Sequence, residues 1–266
     1  MAKSRDEIHA ANRRRWEVAA TDWARKADSR GLWRRCAKKP GLVLSAQELG
    51  HLGKVRGKRV CVLGSGDNQA VFALAGLGAA VTSVDIAENQ LKIAKRRARQ
   101  LGLTIRFVRA DVTDLSAFRD GSFDIVYTGG HVAVWVADLA AFHREAVRIL
   151  VPSGLLMISE YHPFRRIWRE SRTALSVQSP YLNRGPFRQD YSEDVLAREP
   201  GSFTCYEFHW TVADHLNAVI RAGCRLVAVE EYGEQVGDWE GAPLDGLPED
   251  LLIAARKATE SRRPGN

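Results

Sequence analysis

At 266 residues the chain is sized for one large domain, or for one domain with an embellishment. Its 45% hydrophobic and 27% charged residues are ordinary for a globular protein, and no apolar run approaches the roughly 18 residues that cross a bilayer. The net charge of +7 is uneven: residues 1–59 hold 16 Lys/Arg against six Asp/Glu, which leaves the remainder net negative. That basic segment can attract an anion such as a nucleic acid, but its runs of arginine alternate with apolar residues, as in folded amphipathic helices. The N-terminus is charged from the start and lacks the apolar core of a signal peptide. Cys36, Cys61, Cys205 and Cys224 make no C-x-x-C pair and are read as reduced thiols in a cytoplasmic protein.

In chain order, Ile8, Ala11, Trp16, Ala19, Ala20 and Trp23 recur at helical spacing and predict a helix from Ser4 to about Lys26. "GLWRRCAK" and "LVLSAQELGHL" read as short helices split by Pro40-Gly41. Then come a strand (KRVCVL), a helix (DNQAVFALAGLG), a strand (AAVTSVD), an amphipathic helix ending on Gly102, and two strands (TIRFVRAD, FDIVYT). A helix (DLAAFHREAVRIL) follows, and Pro152 with Gly154 is expected to turn into the strand LLMISEY. This alternation predicts an α/β fold, a mostly parallel sheet wrapped by helices on both faces. Residues 162–208 break the rhythm and read as an inserted lid. A helix (TVADHLNAVIRAGC) and two strands (RLVAVEEYG, PEDLLIAARK) then complete the sheet.

The turn Gly64-Ser65-Gly66 follows the first strand, where open parallel sheets bind ligands beyond their carboxyl ends. Glycine lets backbone approach a ligand without a Cβ, and the helix N-terminus that follows offers free N–H groups. The dinucleotide fingerprint fails at its third glycine, where Gln69 stands, so a nicotinamide nucleotide is disfavoured. Asp85 ends the second strand and can accept both ribose hydroxyls of an adenosyl group. Asp111 and Val112 end the third strand, where a carboxylate can take an adenine amino group or cap the next turn.

Together "VCVLGSGDN", "VTSVDIAENQLKIAKRRA", "FVRADVTDL", "FDIVYTGGHVAVW" and "EAVRILVPSGLLMIS" resemble the class I S-adenosylmethionine-dependent methyltransferases, in their small-molecule branch related to quinone biosynthesis. The resemblance covers about residues 57–160. It implies a doubly wound, seven-stranded, mostly parallel Rossmann-like sheet, with N-terminal helices and a lid. One domain would then hold a helical cap (1–56), a cofactor-binding core (57–161), the lid (162–208), the rest of the core (209–258) and a tail (259–266). In family terms Gly64, Ser65 and Gly66 line the methionine moiety, Asp85 the ribose, Ile86 and Val112 the adenine faces, and Asp111 its amino group. Trp16 and Trp23 would cover the cofactor, and Asp67, Gln90 and Gly129 complete the implied contacts. Two positions depart from the pattern: Val62 stands where an acid is usual, and Asn68 where a third glycine is usual.

Methyl transfer needs the acceptor aligned and, where it carries a proton, a base. His131 after the Gly129-Gly130 turn, and Glu160, Tyr161 and His162 after the fifth strand, are the candidate catalytic residues, with His131 or His162 as the base. Trp135, Phe164, Tyr206 and His209 are the candidate substrate contacts, and Arg165, Arg166 and Arg169 could meet an acidic substrate group. His143 and His215 fall in helices and read as surface residues, while His9 and His51 carry no supporting pattern. No metal-ligand spacing occurs, so no metal is expected. The favoured reading is a methyltransferase acting on a small molecule away from any membrane. An RNA methyltransferase using the basic face and a non-catalytic cofactor-binding protein are its rivals, and oligomeric state is left open.

Overall fold

The computed structural model describes residues 3–66, 69–169, 171, 173–191, 203–234, 238–239 and 242–259. Helix α1 (Arg5–Arg30) starts in a capping box in which Ser4 and Glu7 satisfy each other's backbone, and it stops at left-handed Gly31. The segment predicted as two short helices yields 3-10 turns at Leu32–Arg34 and Pro40–Leu42, and then α2 (Ala46–Leu52) behind its cap Ser45. The alternating core follows as predicted: β1 (Arg59–Leu63), α3 (Gln69–Gly76), β2 (Ala80–Asp85), α4 (Glu88–Gln100), β3 (Arg106–Arg109), β4 (Phe123–Gly129), α5 (Leu139–Arg148) and β5 (Leu150–Tyr161). β5 starts earlier than its sequence suggests. Pro152–Gly154 form a bulge inside it, where the register against β4 shifts between Phe123 and Ile125.

The segment read as a lid holds regular structure beyond the aromatic strand that the resemblance implied just before the helix at Val212. A 3-10 turn spans Pro163–Arg166, and β6 (Phe187–Tyr191) pairs antiparallel with β7 (Phe203–Glu207). Then come α6 (Val212–Arg221), β8 (Cys224–Glu234), the two-residue strands β9 (Asp238–Trp239) and β10 (Ala242–Pro243), and β11 (Pro248–Lys257). The main sheet has seven strands in the order β3-β2-β1-β4-β5-β11-β8, parallel from β3 to β5, with β11 antiparallel to both its neighbours. This is the predicted doubly wound α/β sheet. Strands β1, β2 and β4 are buried almost end to end, as expected of a sheet covered on both faces. One apolar layer packs under α5 and α6, the other under α2, α3 and α4. All four cysteines are free and buried. Among the described residues no helix is long and apolar enough to cross a membrane.

Two sequence expectations are overturned here. His143 and His215 are not surface residues: they are 0% and 3% exposed, with ring centroids 5.8 Å apart where α5 packs on α6. His143 lies one turn from Leu139 and beside Phe142, on the apolar stripe of α5, so the packing of that stripe carries it inside. Burial pushes His143 down to about 3 and, against the pull of Asp214, His215 down to about 4. In the unfolded chain both protonate near pH 6.5. The unfolded state therefore binds more protons as pH falls, so stability is complete above about pH 6.5 and declines toward pH 4. The slope is roughly 1.4 kcal/mol per pH unit for each differing proton. His143→Leu is expected to shrink the drop in urea midpoint between pH 7 and pH 5; an equal drop in both proteins would contradict this account.

Candidate active site

The switch in strand order falls between β1 and β4, and the glycine turn after β1 lies there. Gly64 and Gly66 both have left-handed φ, 59° and 50°. A Cβ on Gly64 would run into the side chain of Val132, so glycine lets the loop after β4 close onto the turn. The Gly66 N–H donates to Asp85 Oδ2 at 2.7 Å and the Ala87 N–H donates to Oδ1 at 2.8 Å, which fixes the carboxylate at the tip of β2. Ser65 is buried, its hydroxyl 2.7 Å from that of Ser83 on β2, so it braces the turn. Gln90 sits under the same turn. Its buried Oε1 has no hydrogen-bond partner among the described residues, and it lies 3.7 Å from where a Gly66 Cβ would be. A second orphaned oxygen, Thr128 Oγ1, stands next to Gly129 at the end of β4. Unpaired buried oxygens at the carboxyl edge of the sheet, beside a glycine turn and a fixed carboxylate, fit a hydroxyl- and amine-bearing ligand such as an adenosyl cofactor. Asp67 and Asn68 lie outside the described residues.

Helix α1 roofs this edge. His9 Nδ1 donates to Asp111 Oδ2 at 2.6 Å, and His9 Nε2 accepts the N–H of Ala137. Asp111 Oδ1 accepts the N–H and hydroxyl of Thr113, so this carboxylate also caps its own turn. Burial alone would raise the Asp111 pKa, but the hydrogen bonds from His9 and Thr113 hold it below the usual carboxylate range. Glu17 caps α4 from outside, accepting from Glu88 N and Asn89 N, because Ala87 has no side chain to do so. Trp16 packs edge-on against Trp135, centroids 5.2 Å apart, and lies 6.3 Å from Trp23. The predicted cofactor cover and a predicted substrate wall are therefore in contact. Ile86 is half-buried beside Asp85, and Val112 is buried beside Asp111.

At the ends of β4 and β5 three of the predicted catalytic residues converge. Glu160 is 5% exposed; its Oε1 accepts the N–H groups of Val132 and Ala133, both at 3.1 Å, and its Oε2 stands 3.9 Å from His131 Nδ1. Burial pushes the carboxyl up to about 7, with the two N–H groups and Arg166 pulling the other way. His131 has φ 77°, packs at a tilt on Tyr161 with ring centroids 4.8 Å apart, and has its Nε2 against Arg166 Nη2. Burial first, then Arg166 and Arg165, keeps this imidazole neutral. Arg166 also reaches Glu207 Oε2 at 2.6 Å. Cavities open on both sides of Glu160 and Tyr161. One is walled by His131, Arg166, His209 and His215; the other, of about 360 Å³, by Glu48, Tyr127, Tyr232 and Asp250.

His162 lines the smaller cavity as well, while Phe164 and Tyr206 pack away from it. His162 is buried with both nitrogens engaged, by Glu231 at 2.6 Å and by the Phe164 N–H. Phe164 packs between His162 and Tyr181. Tyr206 is buried with Ile8 and Phe208 under the start of α1. His209 does line the cavity, stacked on Phe187.

A Methyltransferase domain model matches residues 61–158, the stretch that builds β1 through β5. Demethylmenaquinone methyltransferase of Tropheryma whipplei is 31% identical over 152 residues, 56% of this chain and 57% of that one. The protein named uncharacterized methyltransferase YbaJ, of Bacillus subtilis, is 36% identical over 109 residues, 41% of this chain and 42% of that one. The chain thus spans about half the length of these relatives. An S-adenosylmethionine-dependent methyltransferase from Mesorhizobium loti superposes with a TM-score of 0.59 at 27% identity, covering 78% of this chain and 94% of that one. The fold is that of the class I S-adenosylmethionine-dependent methyltransferases. Within that fold, His9, Asn12, Glu17 and Glu207 are the site residues that sequence reasoning missed. His9, Asn12 and Trp16 share one face of α1 at i, i+3, i+7, but nothing in that spacing names their distant partners.

Asn12 makes the tightest of these joints. It is 3% exposed; its amide donates to the carbonyls of Trp135 and Tyr206 and accepts the Tyr206 N–H. Asn12→Ala leaves these backbone groups without that partner, at about 1–3 kcal/mol for a buried group left unsatisfied. We expect a stability loss of at least about 2 kcal/mol by urea unfolding, with faster hydrogen exchange at the Tyr206 amide. Unchanged exchange there would show that α1 does not hold β7 through this residue.

Proposed function

We propose that the protein transfers the methyl group of S-adenosylmethionine to a small organic acceptor, with Glu160 as the general base. The observation that carries the reading is the Gly64–Gly66 turn set against Asp85, with the unpartnered oxygen of Gln90 beneath it. Asp85 would hold the ribose, the glycine turn the methionine end, and Ile86, Val112 and Asp111 the adenine, under Trp16 and Trp23. The bound cofactor supplies an electrophilic methyl group on a sulfonium. The chain supplies alignment, for which well-oriented reactants gain roughly 7–11 kcal/mol, and a proton acceptor.

Among the candidate bases Glu160 suits the task better than the two histidines. His131 has its Nε2 blocked by Arg166, and His162 is held at both nitrogens. Glu160 Oε2 accepts no hydrogen bond from a described residue, and its carboxyl titrates near neutrality, where a base works best. An acceptor atom that carries a proton, on oxygen or nitrogen, is what such a carboxylate serves.

Calorimetry with S-adenosylhomocysteine tests the cofactor half. Asp85→Ala is expected to weaken binding by about 10- to 100-fold, the worth of charge-assisted hydrogen bonds; unchanged affinity would remove the ribose assignment. Transfer of labelled methyl groups into a pooled metabolite extract tests the other half. The wild-type rate should rise with pH through about 7, where Glu160 loses its proton. Glu160→Gln should cut the rate about 10²–10⁴-fold and abolish that rise. A Gln variant that keeps both rate and pH profile would eliminate Glu160 as the base.

A further inference from the structure

Arg166 lies in a cavity of about 30 Å³ beside Glu160, room for two or three waters where one needs roughly 10–15 Å³. The cavity wall is unusual in its unpaired nitrogen atoms. Among the described residues His215, 3% exposed, has no hydrogen-bond partner for Nδ1, and Arg166 none for Nε; His209 has none for either ring nitrogen, with Glu207 Oε2 3.9 Å from its Nε2. Buried polar groups in folded proteins are paired in the large majority, so several orphans on one small cavity call for an occupant.

Their chemistry narrows what that occupant is. Arg166 Nε can only donate, and each imidazole brings at least one further N–H. Arg165 and Arg166 both place positive potential at His131, so a cation is disfavoured there. The acid on the wall's far side, Glu207, already accepts from Arg166 at 2.6 Å. Glu160, the other acid at the cavity, is held near half-protonation by burial and opposes an incoming anion weakly. An acceptor-only group with two oxygens and about four lone-pair sites matches this wall, and it is the size of the space. The larger cavity across Glu160 has the opposite character, with Glu48 and Asp250 among tyrosines.

Resting on the methyltransferase reading above, we propose that the methyl acceptor is a small molecule bearing a carboxylate, which seats in the cavity lined by His131, Arg166, His209 and His215. The carboxylate is the handle and not the methylated atom. A carboxylate has no proton to give up, whereas Glu160 is placed to take one from a neighbouring hydroxyl or amine. Such an acceptor is oriented by the contrast between the two cavities, its anionic end at Arg166 and its body toward Tyr127 and Tyr232.

The test is calorimetry on the full chain with matched probes, hydroxybenzoates and aminobenzoates against their primary amides, with and without S-adenosylhomocysteine. At least one carboxylate is expected to bind about ten-fold or more tightly than its amide, as charge-assisted hydrogen bonds allow. Arg166→Gln should erase that preference and Arg166→Lys retain part of it. If the Gln variant fails to fold, the wild-type comparison still decides. Equal binding of carboxylate and amide across the panel, or binding of neither, overturns the proposal and leaves a cavity filled by water. The cofactor titration is read separately. Failure of S-adenosylhomocysteine to bind would overturn the methyltransferase reading, while the carboxylate preference measured without it still reports on the cavity.

Discussion

Asn12 uses one buried amide to hold the backbone of Tyr206 at both its N–H and its carbonyl, and that of Trp135 at its carbonyl. One turn earlier His9 joins Asp111, at the tip of β3, to Ala137 after β4. Helix α1 is thus tied at one end to the carboxyl edge of the sheet and to β7 together. Further along, Glu17 caps α4, and Arg97, 1% exposed, donates to the Ala24 carbonyl and to Asp28. The bonds of Asn12 to Tyr206 and of Arg97 to the Ala24 carbonyl are buried, and there a lost partner costs more than the bond itself is worth. Without them α1 is a basic helix whose buried face offers only Ile8 and small alanines as apolar contacts, which fix its angle on the sheet weakly. With them it sets Trp16 against Trp135 and closes the edge from above.

The polar groups around Glu160 form a second, differently balanced system. Each buried charge has a stated counterweight: Glu207 against Arg166, Arg165 against Glu249 and the ring of Tyr161, Glu160 against two backbone N–H groups. Taking ions out of water is costly unless they are paired well, so such a cluster is weak evidence for stability. Its cost is easier to explain as preorganisation. Fixed dipoles and charges set in place before a reaction need not reorganise during it.

How much of this was legible in the sequence depended on the range over which each constraint acts. The strand–glycine–helix of Leu63 to Gln69 and the strand-ending Asp85 are local patterns, and the glycine turn was read from them; the parallel sheet was read from the alternation of strands and helices, while its strand order is seen only in the structure. His143 was misread although its spacing from Leu139 and Phe142 already placed it on the apolar stripe of α5; residue type was given more weight than position. His9 and Asn12 could not be assigned, because their partners lie more than a hundred residues away and no period links the two. β6 was missed for a related reason: Arg188, Gln189 and Asp190 fill three of its five positions, and it shows no alternation of buried and exposed positions to announce a strand.

The departure at Val62 illustrates how such a site can rearrange. Val62 is fully buried and lies opposite Tyr127 in the β1–β4 register. The Tyr127 hydroxyl donates to Glu48 at 2.7 Å, and Glu48 comes from α2, outside the core that the methyltransferase domain model matches. Burial, then Glu48, drives the Tyr127 pKa well above its ordinary value, so that pair keeps its proton on the tyrosine. A carboxylate is therefore present on this face of the sheet although the strand itself has lost one, and it is delivered by tertiary packing. An acid built into β1 is constrained by the strand's neighbours on both sides. An acid delivered from α2 can shift with the loop that carries it, which here also walls the larger cavity next to Glu160. The segment that carries Glu48 thus shapes both the charge opposite Val62 and the space beside Glu160.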